Sequence, residues 1–221
     1  MRSAFDKLIS WTGLLLAVVL LVAGGLLTWA NGFIDDQVHS QLTDQGITMP
    51  SGDSLDALPE ADKAALEEYA DSPLDTGSEA KAFADHYILA HMNEGTAGVY
   101  EQLEALGIDT SQFPDPMTYQ SAGAVNSQIQ ALTGVSDDVK TEASGIVSQF
   151  RTSTLFTGNT LRGLLLYGYA FATIGTIAGI AAIGAYIGGV VFLVLAGIGF
   201  WHARKVKIAE RGPARPLSVT V

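Results

Sequence analysis

Two stretches of the chain carry no charged residue: Leu8 to Ile34, 27 residues, and Gly163 to Ala203, 41 residues. A helix needs about 20 apolar residues to cross a bilayer. The first stretch therefore predicts one transmembrane helix over 8–30, behind a short cytoplasmic segment over 1–7. Its length exceeds the apolar core of a secretory signal, about 7–15 residues, which favours an uncut anchor. The second stretch predicts a long apolar helix over 161–203, with a transmembrane hairpin turning near Gly184 to Gly189 as the alternative. The hairpin fits the length but puts Arg204, Lys205 and Lys207 on the side opposite the N-terminus. With two spans, both basic ends share one side. In that reading the helix enters the bilayer only near Tyr186, and Leu164 to Gly184 stand outside it, wrapped by amphipathic helices.

Between the two stretches the apolar spacing is helical and does not alternate as a strand would. Ile34, Val38 and Leu42 carry the first helix outward until Gly46, a C-terminal stop. Ile47 to Pro59 reads as a loop, and Pro59 opens a short helix through Leu66 and Tyr69. Thr76 with Glu79 has the spacing of a capping box, followed by a third helix on Phe83, Tyr87 and Ala90. Val99, Leu103 and Leu106 mark a fourth, closed by Gly107. Pro114, Asp115 and Pro116 form a turn. Ala122, Val125, Ile129 and Leu132 form a fifth stripe ending at Gly134, and Ser136 caps a sixth that turns Val139, Ala143, Ile146 and Phe150 inward. The expected fold is all-α: two transmembrane helices, or three with the hairpin, and a small helical domain over 31–160.

Charge orients this layout. The middle of the chain holds 21 acids and five bases, net −16, whereas the two ends hold seven bases and two acids. Lys and Arg beside spans stay on the cytoplasmic side, so the protein is expected in the cell membrane with its middle region extracytoplasmic and a basic cytoplasmic tail over 204–221. A surface of −16 repels phosphate, which excludes nucleic acid as a partner. Trp11, Trp29 and Trp201, with Arg204, Lys205 and Lys207, have the character of interfacial anchors in the bilayer. Gly175 with Gly179, and Gly184 with Gly188, have the four-residue spacing that lets helices approach closely in lipid.

Catalytic chemistry has few handles. The chain has no cysteine, which removes disulfides, thiolate nucleophiles and thiolate metal sites. His86 and His91 point about 140° apart on a helix and cannot share a metal as an i, i+4 pair would. Asp75, Thr76 and Gly77 spell an aspartic-protease tripeptide, but that chemistry needs two such carboxylates. No charged residue lies mid-span, against a proton path or ion-coupled transport. No cofactor, metal or catalytic residue is expected.

Two segments carry a resemblance: Phe33 to Pro50 (FIDDQVHSQLTDQGITMP) and Thr154 to Phe171 (TLFTGNTLRGLLLYGYAF). They are similar to an uncharacterised family of actinobacterial membrane proteins with an N-terminal span, a helical extracytoplasmic insert and a C-terminal apolar block. In size and layout the chain also resembles accessory subunits of the actinobacterial cytochrome bcc–aa3 respiratory supercomplex. The resemblance implies a non-catalytic structural or assembly subunit of a larger membrane complex. A stand-alone extracytoplasmic module that binds a cation or ligand is the alternative.

Overall fold

The structure, a computed structural model, describes residues 2–210, with side chains over 5–206. The expected tail beyond 210 and the side chain of Lys207 lie outside the described residues. Helix α1 spans Arg2–Thr43. Three short helices follow: α2 over Asp53–Asp56, α3 over Glu60–Leu66 and α4 over Gly77–Ala82. Then come α5 over Leu89–Ala105, α6 over Tyr119–Ala131, α7 over Asp137–Gln149 and α8 over Phe156–Glu210. Among the described residues there is no strand beyond one antiparallel bridge, Thr48 to Pro73. Two helical rods, α1 and the one that contains α8, are long and apolar enough to cross a membrane.

The chain divides into two compact units: residues up to Asp35 with those from Ile174 onward, and Asp36–Thr173. The first unit is an antiparallel helix pair. A Cβ at Gly13 would lie 3.5 Å from Ala196 Cβ, one at Gly24 2.9 Å from the Tyr186 ring, and one at Gly175 3.1 Å from Ile34. The buried positions recur every seven residues: Ser10, Ala17 and Gly24 on α1, and Gly175, Ala182, Gly189, Ala196 and Ala203 on α8. A strict seven-residue period keeps one seam facing the partner helix through a left-handed supercoil. With no Cβ, a methyl or the small serine side chain at these positions, the backbones come close and dispersion contacts hold the seam. Two polar contacts pin the far end. Asn31 Nδ2 donates to Gly175 O at 2.9 Å, and Thr28 Oγ1 shares a hydrogen bond with Tyr186 OH at 3.2 Å.

The second unit has two adjoining cores. Leu103, Val125, Ile129 and Val147 fill one between α5, α6 and α7. Met49, Leu66, Leu74 and Leu165 fill the other, between the loops, α3, α4 and the start of α8. Its caps follow the sequence. The Thr76 hydroxyl accepts from Glu79 N–H while the Glu79 carboxylate accepts from Thr76 N–H, and Ser136 accepts from Val139 N–H. Gly46 and Gly134 take positive φ, +63° and +82°, where a side chain would be strained. The Ile47 to Pro59 loop contains the single turn of α2.

Several expectations change. The third and fourth predicted helices are one rod, because α4 passes through a π-helical turn at Phe83–Ile88 directly into α5. Gly95 sits within this rod, where a Cβ would lie 2.8 Å from the Phe150 ring, so the two helices approach closely there. The sixth helix likewise runs through a π turn, Phe150–Leu155, into α8. The hairpin at Gly184 to Gly189 does not form; α8 is unbroken there, and the predicted domain edge at residue 160 falls inside α8. Finally, within the helical unit the start of α8 is covered on one face only: Leu165 is buried, but Leu164, Tyr167 and Phe171 are exposed.

Thr96 ties the first core to the α5–α6 connection. It is fully buried; its hydroxyl donates to Met92 O and accepts from Met117 N–H at 3.2 Å. Thr96→Val keeps the shape and strands that amide, so an expected loss of about 1–3 kcal/mol follows. Thermal melts of the purified chain in mild detergent, followed by circular dichroism, check it; an unchanged midpoint would show that the amide finds another partner.

Candidate functional site

The start of α8 presents two opposite faces. Leu155, Gly158, Arg162, Leu165, Tyr169 and Ala172 recur at helical spacing and turn toward α4 and α5. A Cβ at Gly158 would overlap the Met92 side chain, and one at Gly77 would overlap Ala172, so close approach at both positions requires glycine.

Arg162 is the polar centre of that inner face. Its Nε donates to Ala84 O at 2.9 Å and its Nη2 to Asp85 Oδ1 at 3.0 Å. Ala84 and Asp85 lie in the π turn, where a widened backbone alters the usual helical carbonyl pairing. Lys81 Nζ reaches the other Asp85 oxygen at 2.8 Å and lies 5.8 Å from the centre of the Tyr169 ring. Burial pushes the Asp85 carboxyl up, but the hydrogen bonds and charges of Lys81 and Arg162 outweigh it and hold the group below its ordinary value. On the neighbouring turn, His86 Nδ1 meets Asp62 Oδ1 at 2.9 Å and joins α3 to the rod. Glu79 is similarly saturated. Burial raises its carboxyl, while hydrogen bonds from Asp75 N–H, the Thr76 and Ser72 hydroxyls and Thr76 N–H bring it below the usual carboxylate value.

This network clamps helices together. Each acid in it is matched by a base or by N–H and O–H donors. The remaining histidines are scattered: His91 bonds Tyr87 O, and His39 lies 3.8 Å from Asp75. Among the described residues no three His, Asp or Glu side chains are grouped to hold a metal ion.

The outer face of the same helix is apolar and uncovered. Phe156, Leu164, Tyr167 and Phe171 are 57%, 62%, 67% and 56% exposed and lie in one row. Tyr119 widens this row at its N-terminal end, 6.1 Å from Phe156 by ring centres, with the Arg151 guanidinium 4.3 Å over its ring. This exposed run of large apolar groups on an otherwise acidic unit is the strongest candidate site among the described residues.

The residues singled out in the sequence are distributed as follows. Trp11 and Trp201 lie near one end of the helix pair and Trp29 near the other, all three more than half exposed. Trp29 stacks on Phe33, and Lys205 Nζ sits 3.9 Å over the Trp201 ring; Arg204 is exposed. Gly175 and Gly179 face Ile34 and Asn31, and Gly188 faces Leu20, but a Cβ at Gly184 would meet nothing. The four-residue glycine pairs therefore mark only part of the seam, whose repeat is seven. Missed altogether were the Arg162–Asp85 pair, joined across 77 residues, and the exposed row on α8. The row could have been found by asking which apolar residues of 156–171 the inner face leaves over. No protein-family model matches the chain, and neither does any curated protein or solved structure, so the functional reading rests on this geometry.

Proposed function

We propose that this chain is a non-catalytic accessory subunit of a larger membrane protein complex, anchored by α1 and α8 in the cell membrane with the acidic helical unit outside the cell. The exposed row Leu164, Tyr167 and Phe171 carries this reading. Asp35 and Asp36 end the apolar run of α1 and mark the outer edge of the hydrocarbon, since charge is costly inside it. Gly175 pairs with Ile34 beside that edge. Leu164, Tyr167 and Phe171 precede Gly175 by four to eleven residues in the same helix, so lipid leaves them facing water unless a protein covers them. A −16 middle region keeps such a unit soluble around one apolar docking strip. The resemblance in layout makes a cytochrome bcc–aa3 supercomplex the first assembly to look for.

A photo-reactive amino acid at position 167, activated in intact cells, is expected to capture one or two membrane proteins. The same proteins should accompany the chain stoichiometrically through mild-detergent purification, as read by mass spectrometry. Capture of lipid alone, together with a monodisperse monomer, would overturn the proposal.

A further inference from the structure

The acids of the helical unit avoid the elements that build its exposed apolar row. No Asp or Glu occurs in α6 or between Glu142 and Glu210, although the middle of the chain is −16. From Glu142 to Thr173 the bases are Arg151 and Arg162. Arg162 is committed to Asp85. Arg151 has no such counter-charge: among the described residues no carboxylate forms an ion pair with it. Its Nε donates to Tyr119 O at 3.0 Å, and its guanidinium stacks 4.3 Å over the Tyr119 ring. Those contacts fix the side chain in place and leave the Nη1 and Nη2 donors free of any carboxylate.

Shape and charge together select the occupant. Phe156, Leu164, Tyr167 and Phe171 recur at i, i+8, i+11 and i+15, a straight ridge about 22 Å long on one helix. Such a ridge packs into the groove between side-chain rows of another helix. The Tyr119 ring, 6.1 Å from Phe156, joins the ridge to the guanidinium at its N-terminal end. A planar guanidinium matches a carboxylate by two parallel N–H···O bonds. A second copy of this chain is a poor fit, because a two-fold dimer sets the same face against itself. That face would bring Arg151 toward Arg151 and offer no acid from α6 or from 143–171 to either.

We propose that the row docks an α-helix of another membrane protein, and that this helix carries an Asp or Glu whose carboxylate pairs with Arg151 at the Phe156 end of the ridge. It rests on the accessory-subunit reading above and names the chemistry of the partner at that same surface.

The test uses the full chain in the membranes of the cells that make it. A photo-reactive amino acid replaces Phe156, and the cross-linked peptide is sequenced by mass spectrometry. A helical segment of another protein is expected, with an Asp or Glu within about two turns of the cross-link. Changing that acid to its amide in the partner, which leaves the fold of this chain untouched, should lower capture about ten-fold. Arg151→Glu should lower it similarly, and the partner's acid changed to Lys should then restore most of it. A cross-link to a second copy of this chain, a captured segment without an acid, or undiminished capture of the partner's amide variant each overturns the proposal. If capture at position 167 persists in any of these cases, the accessory-subunit reading stands and the carboxylate contact alone falls; loss of protein capture at both positions removes both.

Discussion

Oxidation of membranes carrying Gly13→Cys together with Ala196→Cys closes an intramolecular disulfide in nearly every chain. A Cβ at Gly13 lies 3.5 Å from Ala196 Cβ, at the short end of the about 3.5–4.5 Å found across disulfides. The chain has no cysteine of its own, so a shift on a non-reducing gel reports this pair alone. Gly13→Cys with Gly184→Cys, twelve residues away along α8 at a position facing open space, should stay reduced. A product of doubled mass would instead mean pairing between copies and would refute the hairpin arrangement of the two helices. Adding Gly189→Leu should lower the yield several-fold. A Cβ there already lies 2.8 Å from Leu21 and 3.4 Å from Ala17 O, and forcing bulk into such a seam costs about 1–3 kcal/mol.

Arg162→Met is expected to be the most damaging single change in the helical unit. It removes the second donor to the Ala84 carbonyl, which keeps the Leu89 N–H, and leaves Asp85 with Lys81 alone. Breaking a fully buried pair costs about 3–5 kcal/mol. The two side chains here keep 20% and 25% of their exposure, so solvent screening reduces the expected loss to about 2–3 kcal/mol. That lowers the thermal midpoint by about 10 °C for a unit of this size. Combining it with Asp85→Asn should restore part of the loss, because no under-paired charge is then left between helices. The pH dependence has a definite sign. The folded Asp85 carboxyl lies below its ordinary value of 3.8, so its contribution is fully present above that value and fades as pH falls through it toward the lower folded pKa. Melts of the unaltered chain in mild detergent should lose stability through this acid window, and Arg162→Met should lose less. Parallel pH profiles would remove Arg162 from any role in holding the Asp85 charge.

Local signals in the chain were read correctly where the chemistry itself is local. Thr76 with Glu79 and Ser136 start helices because a side-chain oxygen reaches an amide three residues on, a distance set by the helix itself. Gly46 and Gly134 stop helices because they tolerate positive φ. The stripes Val99 and Leu103, and Ala122, Val125 and Ile129, lead to buried faces for the same reason. What was misread depends on groups distant in sequence. The π turn that carries α4 into α5, the packing of Gly95 on Phe150 and that of Gly158 on Met92 bring together residues far apart in the chain. The seam of the helix pair was legible in principle as a seven-residue recurrence of Ser, Ala and Gly. In a segment so rich in small residues, the four-residue glycine pairs drew attention from it.

The residue order alone determined two apolar rods, an acidic helical middle and basic ends, because solvent preference and capping act within a turn or two of each residue. Tertiary structure decided that α8 is unbroken, that Arg162 finds Asp85, and that one face of 156–171 is left without cover. These outcomes depend on which surfaces meet, and burial energies between surfaces far apart in the chain override the preferences of the residues between them.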